Sequence, residues 1–185
     1  MDARLQELWD HHEIRQLLAT YCHGCDRGDE VLMAGTYAQE SWDDHGPRKM
    51  PGDRFAFETV AESIETARVV SHLLGQSLIA LRGDEAGAET YFIATVVYPA
   101  RAPGGTEMLN QLGGRYVDTL VREGGGWLIK TRVCIREWSI SHPVERDWLA
   151  GKGFVETMRG QADISNEALG LTLTGSLFPA LSAAR

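Results

Sequence analysis

Apolar residues recur every three or four positions along the first 27 residues of the chain. They are Leu5, Leu8, Trp9, Ile14, Leu17, Leu18, Tyr21 and Cys25. This period predicts an amphipathic helix that buries one face and ends near Gly28. A second, short helix is predicted with Asp29 as its N-cap. A third helix is predicted after the turn signal Pro51-Gly52.

The pattern changes to one typical of strands after residue 66. Five runs are rich in Val, Ile, Thr and Tyr, namely Ala67–Leu74, Gln76–Arg82, Ala88–Tyr98, Glu107–Glu123 and Trp127–Ser139. Three glycines join the last two runs into a predicted hairpin, and Gly113-Gly114 predicts a bulge that bends the sheet. Ser41–Gly46 fits an edge strand or a cavity floor. Helices followed by antiparallel strands predict an α+β fold, and a strongly bent sheet with helices across its open side would enclose a cavity.

The remainder of the chain is less regular. Trp148, Phe154 and Met158 fit a helix that several glycines weaken. The tail from Ser165 is rich in Ala, Ser, Leu and Gly. We therefore predict one domain over residues 1–140 and an extension over residues 141–185. The extension is expected to pack on the domain or on a neighbouring subunit.

Length, composition and charge narrow the class of protein. The chain has 185 residues, of which 43% are apolar and 24% charged, as expected for one globular domain. Its net charge of −8 argues against binding to nucleic acid or to an anionic membrane. No apolar run approaches the roughly 20 residues that span a bilayer, and the first twenty residues are too acidic for a secretory signal. We therefore expect a cytoplasmic protein.

The candidate chemistry begins with a histidine on a predicted strand. Alternation places Val70, His72 and Leu74 on one face, so the imidazole lies between two aliphatic side chains. Such a histidine is either a core residue bonded to a backbone carbonyl or a general base, because its unperturbed pKa of about 6.5 suits proton transfer. A base of this kind needs an orienting carboxylate, and Asp26 is the candidate. An ordinary helix-end aspartate is also compatible with Asp26.

The remaining motifs have simpler interpretations. Cys22-His23-Gly24-Cys25 is a CxxC motif, but it lies late in a helix and has no second ligand pair, so we expect no metal and no cofactor. Nucleotide-binding and nucleophile-elbow motifs are missing from the sequence. On the final strand, alternation places Arg132 on the face opposite Ile129 and Val133. The candidate pocket residues are Trp42, Asp44, His45, Tyr91, Tyr116, Arg132 and Trp138.

Several motifs in a fixed order carry a family resemblance. They are Ile14 to Tyr21 followed by Asp26-Arg27-Gly28-Asp29; Asp43-Asp44-His45-Gly46-Pro47; Ser71-His72-Leu73-Leu74-Gly75; Gly83-Asp84-Glu85-Ala86 with Glu89-Thr90-Tyr91; Gly114-Arg115-Tyr116-Val117-Asp118; and Gly126-Trp127-Leu128-Ile129-Lys130 with Arg132. Over roughly residues 5 to 140 the chain resembles the SnoaL-like branch of the nuclear transport factor 2-like superfamily. The resemblance implies a cone-shaped α+β barrel with a deep apolar pocket. It also implies a dimer or trimer without metal or organic cofactor.

The same resemblance implies a reaction. Relatives include scytalone dehydratase, a dehydrochlorinase, a bile-acid 7α-dehydratase, polyketide cyclases and ketosteroid isomerase. The roles of their His–Asp dyad and assisting tyrosine fall on His72, Asp26 and Tyr21. We expect a lyase acting on a small apolar cyclic or polyketide-like molecule, with Tyr21, aided by Tyr91 or His45, donating to the leaving hydroxyl or the oxyanion. Alternatives are a double-bond isomerase, a non-catalytic ligand carrier or assembly subunit, and a transport adaptor.

Overall fold

The computed structural model describes residues 2–102, 104–144 and 148–171. The helices are α1 (Ala3–Arg27), α2 (Glu30–Ala34), α3 (Gly52–Thr66) and α4 (Ser165–Leu169), with a 3-10 turn at Gly160–Ala162. The strands are β1 (Tyr37–His45), β2 (Arg48–Met50), β3 (Val69–Arg82), β4 (Glu85–Tyr98), β5 (Glu107–Glu123) and β6 (Gly126–Val144). The three predicted N-terminal helices and the strands predicted after residue 66 are therefore present, in an α+β arrangement.

Capping residues determine where the first two helices begin and where α1 ends. The Asp2 carboxylate accepts a hydrogen bond from the backbone N–H of Arg4 and so caps the start of α1. Gly28 ends α1 in the left-handed conformation with φ 77°, which glycine adopts without steric cost. Asp29 caps α2 as predicted, accepting from Leu32 N–H at 2.8 Å. The predicted apolar face of α1 is buried only in its later turns, since Leu5 and the other early apolar positions are exposed.

The six strands form one open, mixed sheet in the order β2-β1-β6-β5-β4-β3. All neighbouring pairs are antiparallel except β1 and β6, which are parallel. The sheet does not close on itself, because β2 and β3 remain its edges. The predicted barrel is therefore an open bent sheet with helices across one face.

Three details differ from the sequence prediction. The runs 67–74 and 76–82 form one strand, β3, with a register shift between Leu74 and Ser77. The strand β6 runs to Val144, past the predicted end at Ser139. The helix predicted around Trp148 is wrong, because residues 148–153 form turns and bends and residues 154–159 are irregular. Trp148 is 71% exposed, so no packed face compensates for the glycines there.

Two irregularities in the β5–β6 pairing decide which side chains point inward. The predicted bulge is confirmed by a register shift between Gly113 and Gly114. A second shift lies between Thr119 and Leu120, where β6 skips from Ile129 to Thr131. The extra residue of β6, Lys130, reverses the alternation of inward and outward side chains along the rest of that strand. Ile129 and Arg132 both point into the core, so the prediction that they occupy opposite faces is wrong.

The core lies between the helices and the inner face of the sheet. It is one cluster that includes Ile14, Leu18, Met33, Val60 and Ile129. Within the described residues, no helix combines the length and apolar character that a bilayer crossing demands. A partly open cavity lies within this core, and the candidate chemistry is found there.

Candidate functional site

A cavity of about 250 Å³ lies between α1, α3 and the inner face of the sheet. Most of the surface area that faces the cavity is apolar, although many of the lining residues carry a polar group. The polar or ionisable side chains in the wall are Tyr21, Cys25, His45, Thr59, Glu62, Ser63, Thr66, His72, Tyr98, Tyr116 and Cys134. The volume is at the small end of the range for ligand sites, which fits a single-ring molecule.

The imidazole of His72 and the carboxylate of Asp26 are joined by two hydrogen bonds. Asp26 Oδ1 is 2.6 Å from His72 Nδ1, and Asp26 Oδ2 accepts from the backbone N–H of His72 at 2.8 Å. A carboxylate only accepts, so Nδ1 carries the proton and Nε2 is left with its lone pair. Among the described residues none bonds this Nε2, and the ring lines the cavity. The arrangement is that of an oriented base.

The end of α1 and the start of β3 bring these two residues together. Arg27 donates to the carbonyl of Val70 at 3.1 Å, which fixes the helix end against the strand two residues before His72. Tyr21 and Cys25, one turn apart on α1, line the cavity, whereas Asp26 lies behind the imidazole and outside the lining.

Tyr21 and Tyr116 form a polar part of the cavity wall. Burial raises the pKa of both phenols, although the Arg132 guanidinium opposes the shift, so both remain protonated donors at neutral pH. Arg132 lies 4.1 Å from the centre of each ring and is fully buried. It is held by Asp118 through two hydrogen bonds of 2.8 and 2.7 Å. Arg132 supports the two phenols and does not line the cavity.

A second histidine faces the same cavity from β1. His45 Nδ1 is hydrogen-bonded to the Asp43 carboxylate, which also accepts from the Tyr37 hydroxyl. Asp43 is completely buried. The His45 ring stacks on Phe55 with centroids 4.3 Å apart and planes inclined by 20°. The cavity therefore contains two imidazoles, each held through Nδ1 by its own carboxylate.

Cys25, Asp26 and His72 could together approach a metal ion, because their ligand atoms lie within 4.8 Å of one another. Burial raises the pKa of the Cys25 thiol to about 12, so it stays protonated near neutral pH. Metal ligands must be deprotonated, and the Asp26 and His72 atoms already bond each other. Asp26 and His72 therefore fit a proton-transfer pair, with Cys25 as a neutral neighbour, better than the three residues fit a metal centre.

The cysteines of the CxxC motif are free thiols and both are buried. Burial also raises the pKa of Cys22 above its ordinary value. A redox-active cysteine needs a lowered pKa and access to solvent. The motif therefore lacks the features of a redox site.

A larger and more open groove of about 830 Å³ lies beside the start of α1 and the ends of β3 and β5. Its only arginine, among the lining residues the structure describes, is Arg122, which is bonded to Asp10 and Asp84. The groove contains neither dyad and is largely polar. We assign the functional site to the smaller cavity.

The structure places five of the predicted pocket residues outside the cavity lining, and Arg132, described above, is one of them. Trp42 is 48% exposed, since Ser41 and Asp43 on either side of it are buried. Tyr91 points outward for the same reason, between buried Thr90 and Phe92. Trp138 is exposed on the outer face beside Gly113.

Asp44 lies on the surface, where it pairs with Lys49 at 2.8 Å. Its hydrogen bonds to Lys49 and to the backbone N–H of Gly46 lower its pKa. Strand alternation therefore separates Asp44 from the inward-pointing Asp43. Of the predicted pocket residues, His45 and Tyr116 line the cavity.

Sequence reasoning missed Asp43, Tyr37 and the ring pair Phe92–Tyr116, whose centroids are 4.2 Å apart. The signal for Asp43 was present, because positions 43 and 45 of one strand share a face. The stacked rings belong to neighbouring strands, and nothing in their local sequence indicates the pairing.

The C-terminal segment reaches the same helix end. Arg159 donates to the carbonyls of Cys25 and Asp26, both at 3.0 Å, and to the carbonyl of Ser63 at 2.7 Å. Asp163 pairs with Arg27 at 3.2 Å. Part of the predicted extension thus packs on this domain, and the rest of the tail, after residue 171, lies outside the described residues.

Comparison with known proteins gives one family and many similar folds. Residues 6–133 match the family model of the SnoaL-like domain. No sequence match to a curated protein is found.

Three solved structures illustrate the shared fold. A provisionally described scytalone dehydratase from Novosphingobium aromaticivorans is 19% identical, with 76% of this chain and 97% of that chain covered and a TM-score of 0.65. A hexachlorocyclohexane dehydrochlorinase from Novosphingobium barchaimii is 16% identical, with 84% and 100% covered and a TM-score of 0.63. The β subunit of a provisionally described aromatic-ring-hydroxylating dioxygenase from N. aromaticivorans is 18% identical, with 72% and 92% covered and a TM-score of 0.56. At these identities the likeness shows the fold alone.

Proposed function

Since the chain belongs to the SnoaL-like family, we propose that it is a cofactor-independent lyase that eliminates water or a hydrogen halide from a small apolar cyclic or polyketide-like molecule. Structural neighbours named for dehydration and dehydrochlorination support a lyase-type function in general. The observation that carries the proposal is the Asp26–His72 pair at the wall of an apolar cavity.

The proposed reaction begins at the free Nε2 of His72. This atom removes a proton from a carbon activated by a neighbouring carbonyl, and the electron pair of the C–H bond forms the new double bond as the leaving group departs. Asp26 stabilises the imidazolium that forms. A positioned base of this kind contributes about 10²–10⁴-fold to the rate.

Tyr21 is the proposed hydrogen-bond donor to the developing oxyanion. Its burial keeps the phenol protonated, and a donor held in a water-poor cavity is worth about 3–4 kcal/mol. Phe55, Phe92 and Val70 supply the apolar surface for the substrate ring.

The proposed oligomer is supported by the outer face of the sheet. Leu73, Ile93 and Trp138 lie in register across β3, β4 and β6, with Gly113 of β5 between them, and Leu73 is 68% exposed. Exposed apolar rows of this kind are typical of protein interfaces. We propose a cytoplasmic homo-oligomer, a dimer or trimer that binds neither nucleic acid nor membrane. Light scattering of the native chain and of Leu73→Glu tests the oligomer.

The function is tested by incubating the protein with a panel of small cyclic β-hydroxy and β-chloro ketones and weighing the products by mass spectrometry. We expect loss of water or hydrogen chloride, and loss of this activity in His72→Gln and Asp26→Asn. His12→Gln, an exposed histidine on α1, is the matched control. A product of unchanged mass from a β,γ-unsaturated cyclic ketone, included in the panel because it has a double bond to move, would indicate the isomerase instead. Full turnover by folded His72→Gln would eliminate the proposal.

A further inference from the structure

The cavity contains a second carboxylate–imidazole pair that the proposed base does not use. Asp43 accepts from His45 Nδ1 and from the Tyr37 hydroxyl, and His45 presents its ring to the cavity wall. Among the residues described by the structure, none bonds Nε2 of His45. Its free ring nitrogen therefore faces the same space as that of His72.

The burial of Asp43 bears on the role of His45. A fully buried carboxylate is costly unless a positive charge or strong donors compensate it. Arg132 lies in register with Asp43 on the neighbouring strand, but its Nε and Nη2 donate to Asp118. Within the described part of the chain, the ion-pair partner of Asp43 is His45. The Asp43 carboxylate is therefore placed to stabilise a His45 imidazolium, the form that can donate a proton from Nε2.

The two imidazoles approach the cavity from different elements, β1 and β3. Between them lie the stacked rings of Phe92 and Tyr116. His45 is 6.0 Å from the Tyr116 ring and His72 is 6.4 Å from the Phe92 ring, centroid to centroid. A flat substrate lying against this ring pair would have an imidazole near each end of the pair, His72 beside Phe92 and His45 beside Tyr116.

We propose that His45 is the general acid of the reaction and that the leaving group is hydroxide, so that the enzyme is a dehydratase. This inference rests on the proposed function and adds the identity of the leaving group. His72 Nε2 takes the proton from carbon, the C–H electrons form the double bond, and the C–O bond breaks. The departing oxygen takes the proton from His45 Nε2 and leaves as water. Solvent then returns one proton from His72 to His45.

Asp43 and Tyr37 are positioning residues in this scheme. The phenol of Tyr37 fixes one carboxylate oxygen of Asp43, and the other oxygen holds His45 Nδ1. Phe55 sets the plane of the imidazole by stacking. Together they direct Nε2 into the cavity.

Two probes that give the same product test the leaving group. We compare 3-hydroxycyclohexanone with 3-chlorocyclohexanone, measuring kcat/KM for formation of cyclohexenone with the uncatalysed rate subtracted. Chloride leaves without a proton, whereas hydroxide requires one. His45→Phe, which keeps the stacking ring, should lower elimination of water about 10²–10⁴-fold. It should lower elimination of chloride by less than about tenfold, because only the proton donor is lost.

Variants of His72 test the proposed base, whereas variants of His45 test the proposed general acid, so the two hypotheses can fail separately. His72→Gln should lower both reactions, and His12→Gln neither. In His45→Ala, added imidazole should restore elimination of water. Such rescue is not expected if His45 has only a structural role. Equal losses with both probes in the His45 variants, or no loss, would overturn the general-acid assignment while leaving the base at His72. Unchanged rates in His72→Gln, or no turnover of either probe by the native protein, would overturn the proposed function and this inference with it.

Discussion

Asp26 holds His72 at two points, the ring nitrogen Nδ1 and the backbone N–H, one with each carboxylate oxygen. The backbone bond fixes the carboxylate, and the side-chain bond then fixes the ring and its tautomer. A single contact would leave the carboxylate free to rotate. This geometry makes orientation of the imidazole a property of the folded chain before any substrate binds.

Replacing Asp26 with asparagine should change the tautomer of His72 while leaving the fold intact. The amide of Asp26→Asn can still accept the backbone N–H with its oxygen, but its NH₂ group then faces Nδ1 and favours the tautomer with the proton on Nε2. We expect kcat for elimination to fall about 10²–10⁴-fold with little change in KM. Initial rates measure the loss, and a thermal unfolding curve close to that of the native protein shows that the fold is kept. Native kcat in Asp26→Asn would contradict the dyad.

Removing only one member of the buried Arg132–Asp118 ion pair should strongly destabilise the fold. Burial alone would lower the pKa of Arg132, but the Asp118 carboxylate more than offsets this, so the guanidinium stays charged. Asp118→Asn leaves this charge without its counter-ion, and we expect a loss of about 3–5 kcal/mol in the free energy of unfolding by urea. The double variant Arg132→Met/Asp118→Leu should recover much of it. A double variant less stable than Asp118→Asn would contradict the assignment.

Asp10 should give the fold an acid-sensitive contribution. Burial alone would raise its pKa, but hydrogen bonds from Arg122, Gln6 and Trp127 outweigh burial and lower it. Its folded pKa thus lies below the unfolded value of about 3.9. The contribution of ionised Asp10 to the free energy of unfolding is therefore present above the unfolded pKa, at about pH 4, and is lost as the pH falls through the folded pKa.

Asp10→Asn should therefore lower the free energy of unfolding by about 1–3 kcal/mol at pH 7. The difference from the native protein should shrink in urea titrations repeated below the unfolded pKa of Asp10. Glu7→Gln, an exposed position on the same helix, is the control. A difference that is constant with pH would argue against the linkage.

The two glycines of the β5 bulge should differ in their tolerance of a methyl group. A Cβ at Gly114 would overlap the backbone carbonyl of Ile135, whereas a Cβ at Gly113 would overlap the side chain of Trp138, which is half-exposed and free to move. Gly114→Ala should cost about 1–3 kcal/mol by urea unfolding, and Gly113→Ala less. Equal costs would show that the indole is as fixed as the backbone.

Much of the fold follows from local patterns in the sequence. The helical period of residues 14–25, the Asp29 cap and the three-glycine hairpin each have a short-range physical cause, and each is found in the structure. The need of His72 for a partner follows from chemistry, since an imidazole placed among aliphatic residues must be bonded, but the choice of Asp26 depended on the family resemblance. The helix around Trp148 fails because its glycines outweigh a few apolar residues.

The orientation of pocket residues is harder to predict. The bulge between Ile129 and Thr131 turns Arg132 into the core, yet an extra residue in one strand leaves no mark in the hydropathy pattern. Trp42 and Tyr91 attract attention as aromatics, but strand alternation points them outward. Their direction depends on register, which is set by pairing between strands that are distant in sequence.

The hydrogen bonds from Arg159 to the carbonyls of residues 25 and 26 have a consequence for biosynthesis. During translation Asp26 and His72 emerge early, but the guanidinium that bonds the carbonyls at the end of α1 is made more than a hundred residues after Asp26. A ribosome-bound chain that ends before this arginine would contain both members of the dyad but an unsupported end of helix α1. The newly made protein thus acquires the full support of the candidate site only when the segment containing Arg159 has left the exit tunnel.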